Sequence, residues 1–216
     1  MSDYLSFEQS LVSALSNIQD KFHTGELAYC VLTGGAESAV RDKLSFTMQR
    51  QFVTNNEYYI ASKEWRRIDL CVIDLSEGLV QTVIQIKACY THDFLLGHAW
   101  SKYLRFAGED NRKAGKQIRK YSPMSDPDYY HLLLVSDTME VPNATKGIIT
   151  YENGIRRVFK KFAEEKSRRK ILIDRVTELF SEYPVVIADV IDAGEEFRLR
   201  VNVHYWLWRM PSPNTI

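Results

Sequence analysis

A chain of 216 residues with 45% hydrophobic and 26% charged side chains can bury one substantial core, which excludes a disordered or fibrous protein. Lysine plus arginine and aspartate plus glutamate number 28 each. No overall field draws such a chain onto a polyanion, so any nucleic-acid surface has to be a local patch. No apolar run approaches the roughly 18 residues needed to cross a bilayer, and Met1-Ser2-Asp3-Tyr4-Leu5-Ser6 has no basic region followed by an apolar stretch. Cys30, Cys71 and Cys89 are too few and too scattered for a disulfide framework or a Cys-x-x-Cys metal site. The expectation is one cytoplasmic α/β domain over residues 1–216, with an N-terminal helical extension (1–30), a core (31–136) and C-terminal helix and β-hairpin additions (137–216).

Residues 6 to 22 predict an amphipathic helix, because Ser6 and Gln9 form a capping-box pair and Leu11, Leu15, Ile18 and Phe22 recur at helical spacing. It reads as a packing element or a dimer arm. After Gly34-Gly35, residues 36 to 52 predict a second helix carrying Val40, Leu44 and Met48. Glu37 falls in its first turn, where the helix dipole and an i, i+4 pairing with Arg41 account for a glutamate as well as any function does. A strand begins near Tyr58 to Ile60. Two further strands follow, Arg67 to Leu75 and Leu79 to Cys89, separated by the turn signal Ser76-Glu77-Gly78.

Alternation sets the faces of that hairpin. Ile68, Leu70 and Val72 with Ile84, Ile86 and Ala88 face a core, while Asp69, Gln85 and Lys87 point the other way. Closure around Glu77 pairs positions summing to about 154, which sets Asp69 opposite Gln85 with Cβ atoms about 5 Å apart. Downstream, residues 97 to 121 predict a helix interrupted near Gly108, Tyr130 to Val135 a buried strand, and residues 154 to 182 a long helix with basic clusters at Lys160-Lys161 and Arg168-Arg169-Lys170. Solvated helix faces explain such clusters equally well. The chain closes with a strand from Val185 to Val190, a turn near Gly194, and an alternating strand from Phe197 to Trp208. Its second row, Arg198, Arg200, Asn202, His204, Trp206 and Trp208, suits a nucleic-acid or subunit surface, although a covering helix accounts for it too.

Several familiar chemistries are disfavoured. Thr33-Gly34-Gly35-Ala36-Glu37 lacks the third glycine of a dinucleotide fingerprint and the Lys-Ser/Thr of a P-loop. No Gly-x-Ser-x-Gly elbow occurs. His23, His92, His98, His131 and His204 show no zinc spacing.

Glu37 on an early helix, Asp69 after Trp65-Arg66-Arg67-Ile68, and Gln85-Ile86-Lys87 on the next strand together resemble the PD-(D/E)xK, or restriction-endonuclease-like, nuclease superfamily. That core runs helix, three strands, helix, strand, the order read here from about residue 35 to 136. The resemblance implies a central mixed sheet flanked by helices and a Mg²⁺- or Mn²⁺-dependent DNA endonuclease of restriction or defence type. It makes Asp69 the main metal carboxylate, Glu37 the helix acid and Lys87 the lysine, with Gln85 and the Ile86 carbonyl completing the metal set. Gln85 departs from the usual glutamate, as in the Gln-x-Lys of Mrr-like restriction nucleases. Mg²⁺ takes oxygen ligands and activates a bound water. Burial beside that cation predicts a neutral Lys87.

Gln117 and Tyr121 resemble the Gln-x-x-x-Tyr element of RecB-type nucleases, and an ordinary amphipathic helix end has the same letters. Gln117, Arg119, Lys120 and Tyr121 with Arg198 and Arg200 are the candidate DNA contacts. One site cuts one strand, which points to a homodimer. The competing readings are a catalytically inactive DNA-binding module of the same fold and a RecB-type exonuclease.

Overall fold

The computed structural model describes residues 6–97, 100–142 and 147–213. Helices α1 (Phe7–Ser16), α2 (Glu26–Thr33) and α3 (Glu37–Thr54) precede a meander of β1 (Tyr59–Trp65), β2 (Ile68–Asp74) and β3 (Leu79–Tyr90). Then come α4 (Thr91–Leu95), α5 (Trp100–Tyr121), β4 (Asp128–Thr138), α6 (Glu152–Lys161), α7 (Glu165–Leu179) and the hairpin of β5 (Val185–Glu196) and β6 (Leu199–Met210). Among the described residues the strands form one six-stranded sheet in the order β1-β2-β3-β4-β6-β5. Only β3 and β4 run parallel, joined through α4 and α5. No helix among the described residues is long and apolar enough to cross a membrane.

Helices cover both faces. Leu11, Leu15, Val31 and Leu44 from α1, α2 and α3 pack on Leu70, Val72, Ile84, Ile86, Leu132 and Tyr205. Ala114 and Ile118 of α5 and Leu172 and Val176 of α7 pack on Cys71, Val83, Leu133, Trp206 and Trp208. β4 is buried from Tyr129 to Thr138, as expected of a strand lying between two helical layers.

The structure adjusts several sequence expectations. The Ser6–Gln9 capping box forms, but α1 stops at Ser16, where Asn17 turns its amide onto the Ser13 carbonyl. Its apolar side is used within the chain's own core. α2 lies in a stretch for which no element was expected; the spacing of Leu27, Ala28, Val31 and Leu32, all buried, was its signal. α5 runs through Gly108 unbroken, since one exposed helical glycine costs only about 1 kcal/mol. The expected helix from 154 to 182 is two, separated at Phe162 to Glu164. There the buried Arg168 donates to the Phe162 and Ala163 carbonyls that the break frees.

Gly194 is not the hairpin turn. It sits at a bulge inside β5 with φ 87°, and an added Cβ would come within 3.1 Å of the Gly25 nitrogen. The chain reverses three residues later at Phe197-Arg198, both with positive φ. The row from Arg198 to Trp208 is not an outward surface. His204, Trp206 and Trp208 lie beneath α7 and its C-terminal end, and the Phe180 ring stacks 4.0 Å from that of Trp208. A covering helix was the operative alternative. Only Arg198 and Arg200, at the hairpin end, remain exposed. His98 lies outside the described residues.

Two histidines are carried in that second layer. Burial holds both His131 and His204 down to about 4, and His131 is only 1% exposed. A folded-state pKa below the unfolded value of 6.5 contributes stability that is present above pH 6.5 and is lost as pH falls toward 4; for His131 this is worth about 3 kcal/mol. Asp137, raised to about 6 by burial, acts with the opposite sign over the lower part of that window. His131→Phe is therefore expected to flatten the fall in urea-unfolding free energy between pH 6.5 and 4 relative to the parent protein. A parallel fall in both proteins would show that His131 does not resist protonation.

Candidate active site

The β2–β3 register is Leu70 with Ile84, Cys71 with Val83 and Val72 with Thr82, then shifts by one between Val72 and Ile73. The bulge therefore lies on the turn side of Asp69, and the sum of 154 holds from Leu70 to Val72, but Asp69 itself is not paired with Gln85. Past Leu70 the ladder ends. β2 continues to pair only with β1, through Trp65 and Ile68, and Ile68 turns into the second helical layer rather than the first. The Arg66-Arg67 turn has φ of 51° and 70°, values that usually call for Asn-Gly. Two arginines there cost roughly 1–2 kcal/mol each.

Divergence of β2 leaves the outer edge of β3 without a strand, and side-chain carboxylates occupy it. The Ile86 N–H donates to Asp69 Oδ2 at 2.8 Å, the Ala88 N–H to Glu37 Oε2 at 3.4 Å and the Tyr90 N–H to Asp93 Oδ2 at 3.0 Å. Three acids from β2, α3 and α4 thus cap alternate amides of one edge.

Lys87 and Gln85 project to the α5 side, as alternation requires. Together with Arg67, Asp69, Asp110, Lys113 and Gln117 they line a cavity of about 160 Å³. The Lys87 amine meets Asp110 Oδ2 at 3.2 Å, and the other oxygen of Asp110 meets Lys113 at 3.2 Å. Gln85 is 5% exposed, and among the described residues its side-chain amide has no hydrogen-bond partner.

The electrostatics follow from that crowding. Burial raises Asp69, with the Ile86 N–H and Lys87 opposing. Burial likewise raises Glu37, with Asp69 adding to the rise and Lys87 opposing it. Lys87 corrects an expectation. Burial pushes it down, but Asp110, Glu37 and Asp69 more than reverse that and leave it above its ordinary value. It is a cation here because it has three carboxylates for neighbours.

Of the expected DNA contacts, Gln117 reaches the cavity. Tyr121 packs edge-on against Trp65 and carries the Arg66 guanidinium 4.3 Å and the Lys120 amine 5.0 Å from its ring centre. Arg119 sits about 200° round the helix from Gln117 and faces elsewhere. Arg198 and Arg200 are not brought to the cavity; Arg200 is paired with Asp192 at 2.6 Å. Asp110 is the residue that sequence reasoning missed. Its signal was the i, i+3 and i+7 series of Asp110, Lys113 and Gln117 on one helix face.

Among the described residues no group of three His, Cys, Asp or Glu side chains is placed to hold a metal ion. A metal at this site would have to use the amide and backbone oxygens as well. Compared with family models, curated proteins and solved structures, the chain matches none.

Asp110→Asn is expected to lower the pKa of Lys87. Labelling by an amine-specific reagent at alkaline pH, followed by peptide mass spectrometry, should show Lys87 modified faster in the variant. Equal rates would show that Asp110 does not govern this amine.

Proposed function

We propose that the chain is a Mg²⁺- or Mn²⁺-dependent DNA endonuclease built on a restriction-endonuclease-like core. One observation carries the reading. Where β2 leaves β3, Asp69 and Glu37 converge on the β3 edge beside a charged Lys87, and an unpartnered, buried Gln85 amide faces the same cavity as Asp69. The order α3, β1-β2-β3, α5, β4, with β4 parallel to β3, supports the reading as well.

The donor set suits a hard divalent ion. Each edge amide engages one carboxylate oxygen, so Asp69 and Glu37 keep further oxygens. Gln85 would add a carboxamide oxygen from the cavity wall, and Ile86 a backbone carbonyl on the open edge. Asp69, Glu37 and Asp110 stand against Lys87, Arg67 and Lys113 around the site, so a dication would be held by its oxygen ligands rather than by an excess of negative charge. Held by these residues, such an ion would supply polarisation of a phosphoryl oxygen and a lowered pKa for bound water.

The residues of the chain supply the rest. Lys87, held as a cation, stabilises negative charge developing on the phosphate and is not a proton acceptor. Asp110 fixes the position of its amine. Arg67 and Lys113 at the cavity and Arg66 and Lys120 beside Tyr121 provide local positive charge for neighbouring phosphates. A double-strand break then requires two copies, most simply as a twofold dimer.

Asp69→Ala and Lys87→Ala are each expected to lower Mg²⁺-dependent DNA cleavage by roughly a hundredfold or more while leaving the circular dichroism spectrum unchanged. Gln85→Glu should tighten Mg²⁺ binding measured by calorimetry. If only Gln85→Glu cuts, the natural protein is a silent DNA-binding module.

Gln117 in the cavity favours one second reading, a RecB-type exonuclease. Covalently closed plasmid separates the two: the endonuclease linearises or nicks it, whereas the exonuclease leaves it intact and degrades only linear DNA.

A further inference from the structure

On the opposite side of the β3 edge from Lys87 lies a second cavity of about 330 Å³, bounded by the Gly34-Gly35 loop, the first turn of α3, Ser136 and Tyr151. That volume falls within the range of about 300–1,000 Å³ typical of small-ligand sites. Four features give it a chemical character.

First, α3 is 18 residues long, and among the described residues no side chain caps its N-terminus at Ala36. Its free amides and positive dipole end border the cavity, an arrangement that favours an anion. Glu37, Ala88 and Arg41 line the cavity as well; the Glu37 carboxylate accepts from the Ala88 N–H, and Arg41 pairs with Glu64 and Asp42.

Second, Ser136 is 3% exposed and lines the cavity. It shares the alternate face of β4 with Leu132 and Leu134, whose side chains belong to the α3 layer. Among the described residues its hydroxyl has no hydrogen-bond partner. A hydroxyl so placed can donate to, or accept from, a group held in the cavity.

Third, Tyr151 stands at the rim with 55% of its surface exposed. Its ring is backed by Tyr90, 4.6 Å away between centres, and by His92 at 5.5 Å. Its backbone is left-handed, φ 62°, a conformation that a tyrosine adopts only where its surroundings hold it there. Fourth, Gly154 permits that aromatic stack, since an added Cβ would come within 2.8 Å of the His92 ring.

We propose that this cavity binds an unpaired nucleotide of the substrate strand next to the cleaved phosphate. Its phosphate meets the α3 amides, its sugar or phosphate oxygen meets the Ser136 hydroxyl, and its base stacks on Tyr151. The proposal rests on the nuclease reading and narrows the substrate to DNA with a single-stranded or extruded nucleotide at the cut, because a base paired within a duplex has no free face for Tyr151.

The test uses the full chain with Ca²⁺ in place of Mg²⁺ and a single-stranded oligonucleotide carrying one 2-aminopurine. Stacking should quench its fluorescence. Tyr151→Ala should abolish the quench and weaken binding by roughly fivefold to a hundredfold, the range that one base–aromatic stack is worth. Tyr151→Phe should restore both, and Ser136→Ala should weaken binding without removing the quench. A protein that cuts DNA but whose oligonucleotide affinity is indifferent to Tyr151→Ala and Ser136→Ala overturns this subsite and leaves the nuclease reading standing. Tyr151-dependent binding by a protein that cuts no DNA supports the subsite and overturns the nuclease. An equal, Tyr151-dependent affinity for deoxyadenosine monophosphate alone assigns the cavity to a free nucleotide and overturns its place on a strand.

Discussion

Past Leu70 the strand β2 follows β1 and abandons β3, and a strand edge inside a folded layer cannot leave its amides without acceptors. Much of the local structure depends on how that debt is met. Ile86, Ala88 and Tyr90 point their N–H groups outward at alternate positions, and Asp69, Glu37 and Asp93 accept from them. These carboxylates come from three elements separated in sequence. Each contact ties its element to β3: α3 on one layer, β2 beside it and α4 beyond its end. The acids that make the site chemically interesting are also what closes the sheet edge, so a structural duty and a chemical one fall on the same side chains.

The carboxylates that close the edge also determine the state of Lys87. A half-buried lysine alone would lose its proton more easily than one in water. With Asp110 at 3.2 Å and Glu37 and Asp69 nearby, the balance reverses and the amine is held charged. Lys113, paired with the other oxygen of Asp110, and Arg67 at the same cavity bring the cluster close to charge balance. Gln85 adds no negative charge of its own, and its carboxamide lines the same cavity as Asp69 and Lys87.

The second layer is organised by aromatic packing. Trp206 and Trp208 of β6 stack in a row, Phe180 lies against Trp208, and the His131 ring stands beside both, 6.0 Å from Phe180 and 6.4 Å from Trp208. His131 pairs across the parallel ladder with Gln85, so this packed aromatic block forms the wall behind the cavity. Leu172 and Val176 of α7, with Phe180 at its end, pack in the same cluster as Trp206 and Trp208. The Arg168 side chain helps hold α7 in place by serving the carbonyls where α6 ends, and it stacks 4.1 Å over Phe159.

The sequence by itself determined the β2–β3 hairpin, its register at Leu70 with Ile84, the common projection of Gln85 and Lys87, and the helix bearing Glu37. These are matters of period-two alternation and turn chemistry, which act between neighbours along the chain. Tertiary structure decided what no local pattern encodes. It buried His204, Trp206 and Trp208, because an alternating strand reads the same whether its second face meets water or a helix. It brought Asp110 to Lys87 from a helix more than twenty residues away and thereby fixed the charge of that lysine. It ended the β2–β3 ladder one residue short of Asp69, because the tight Arg66-Arg67 turn pulls β2 toward β1, and so converted a strand residue into the cap of a free amide.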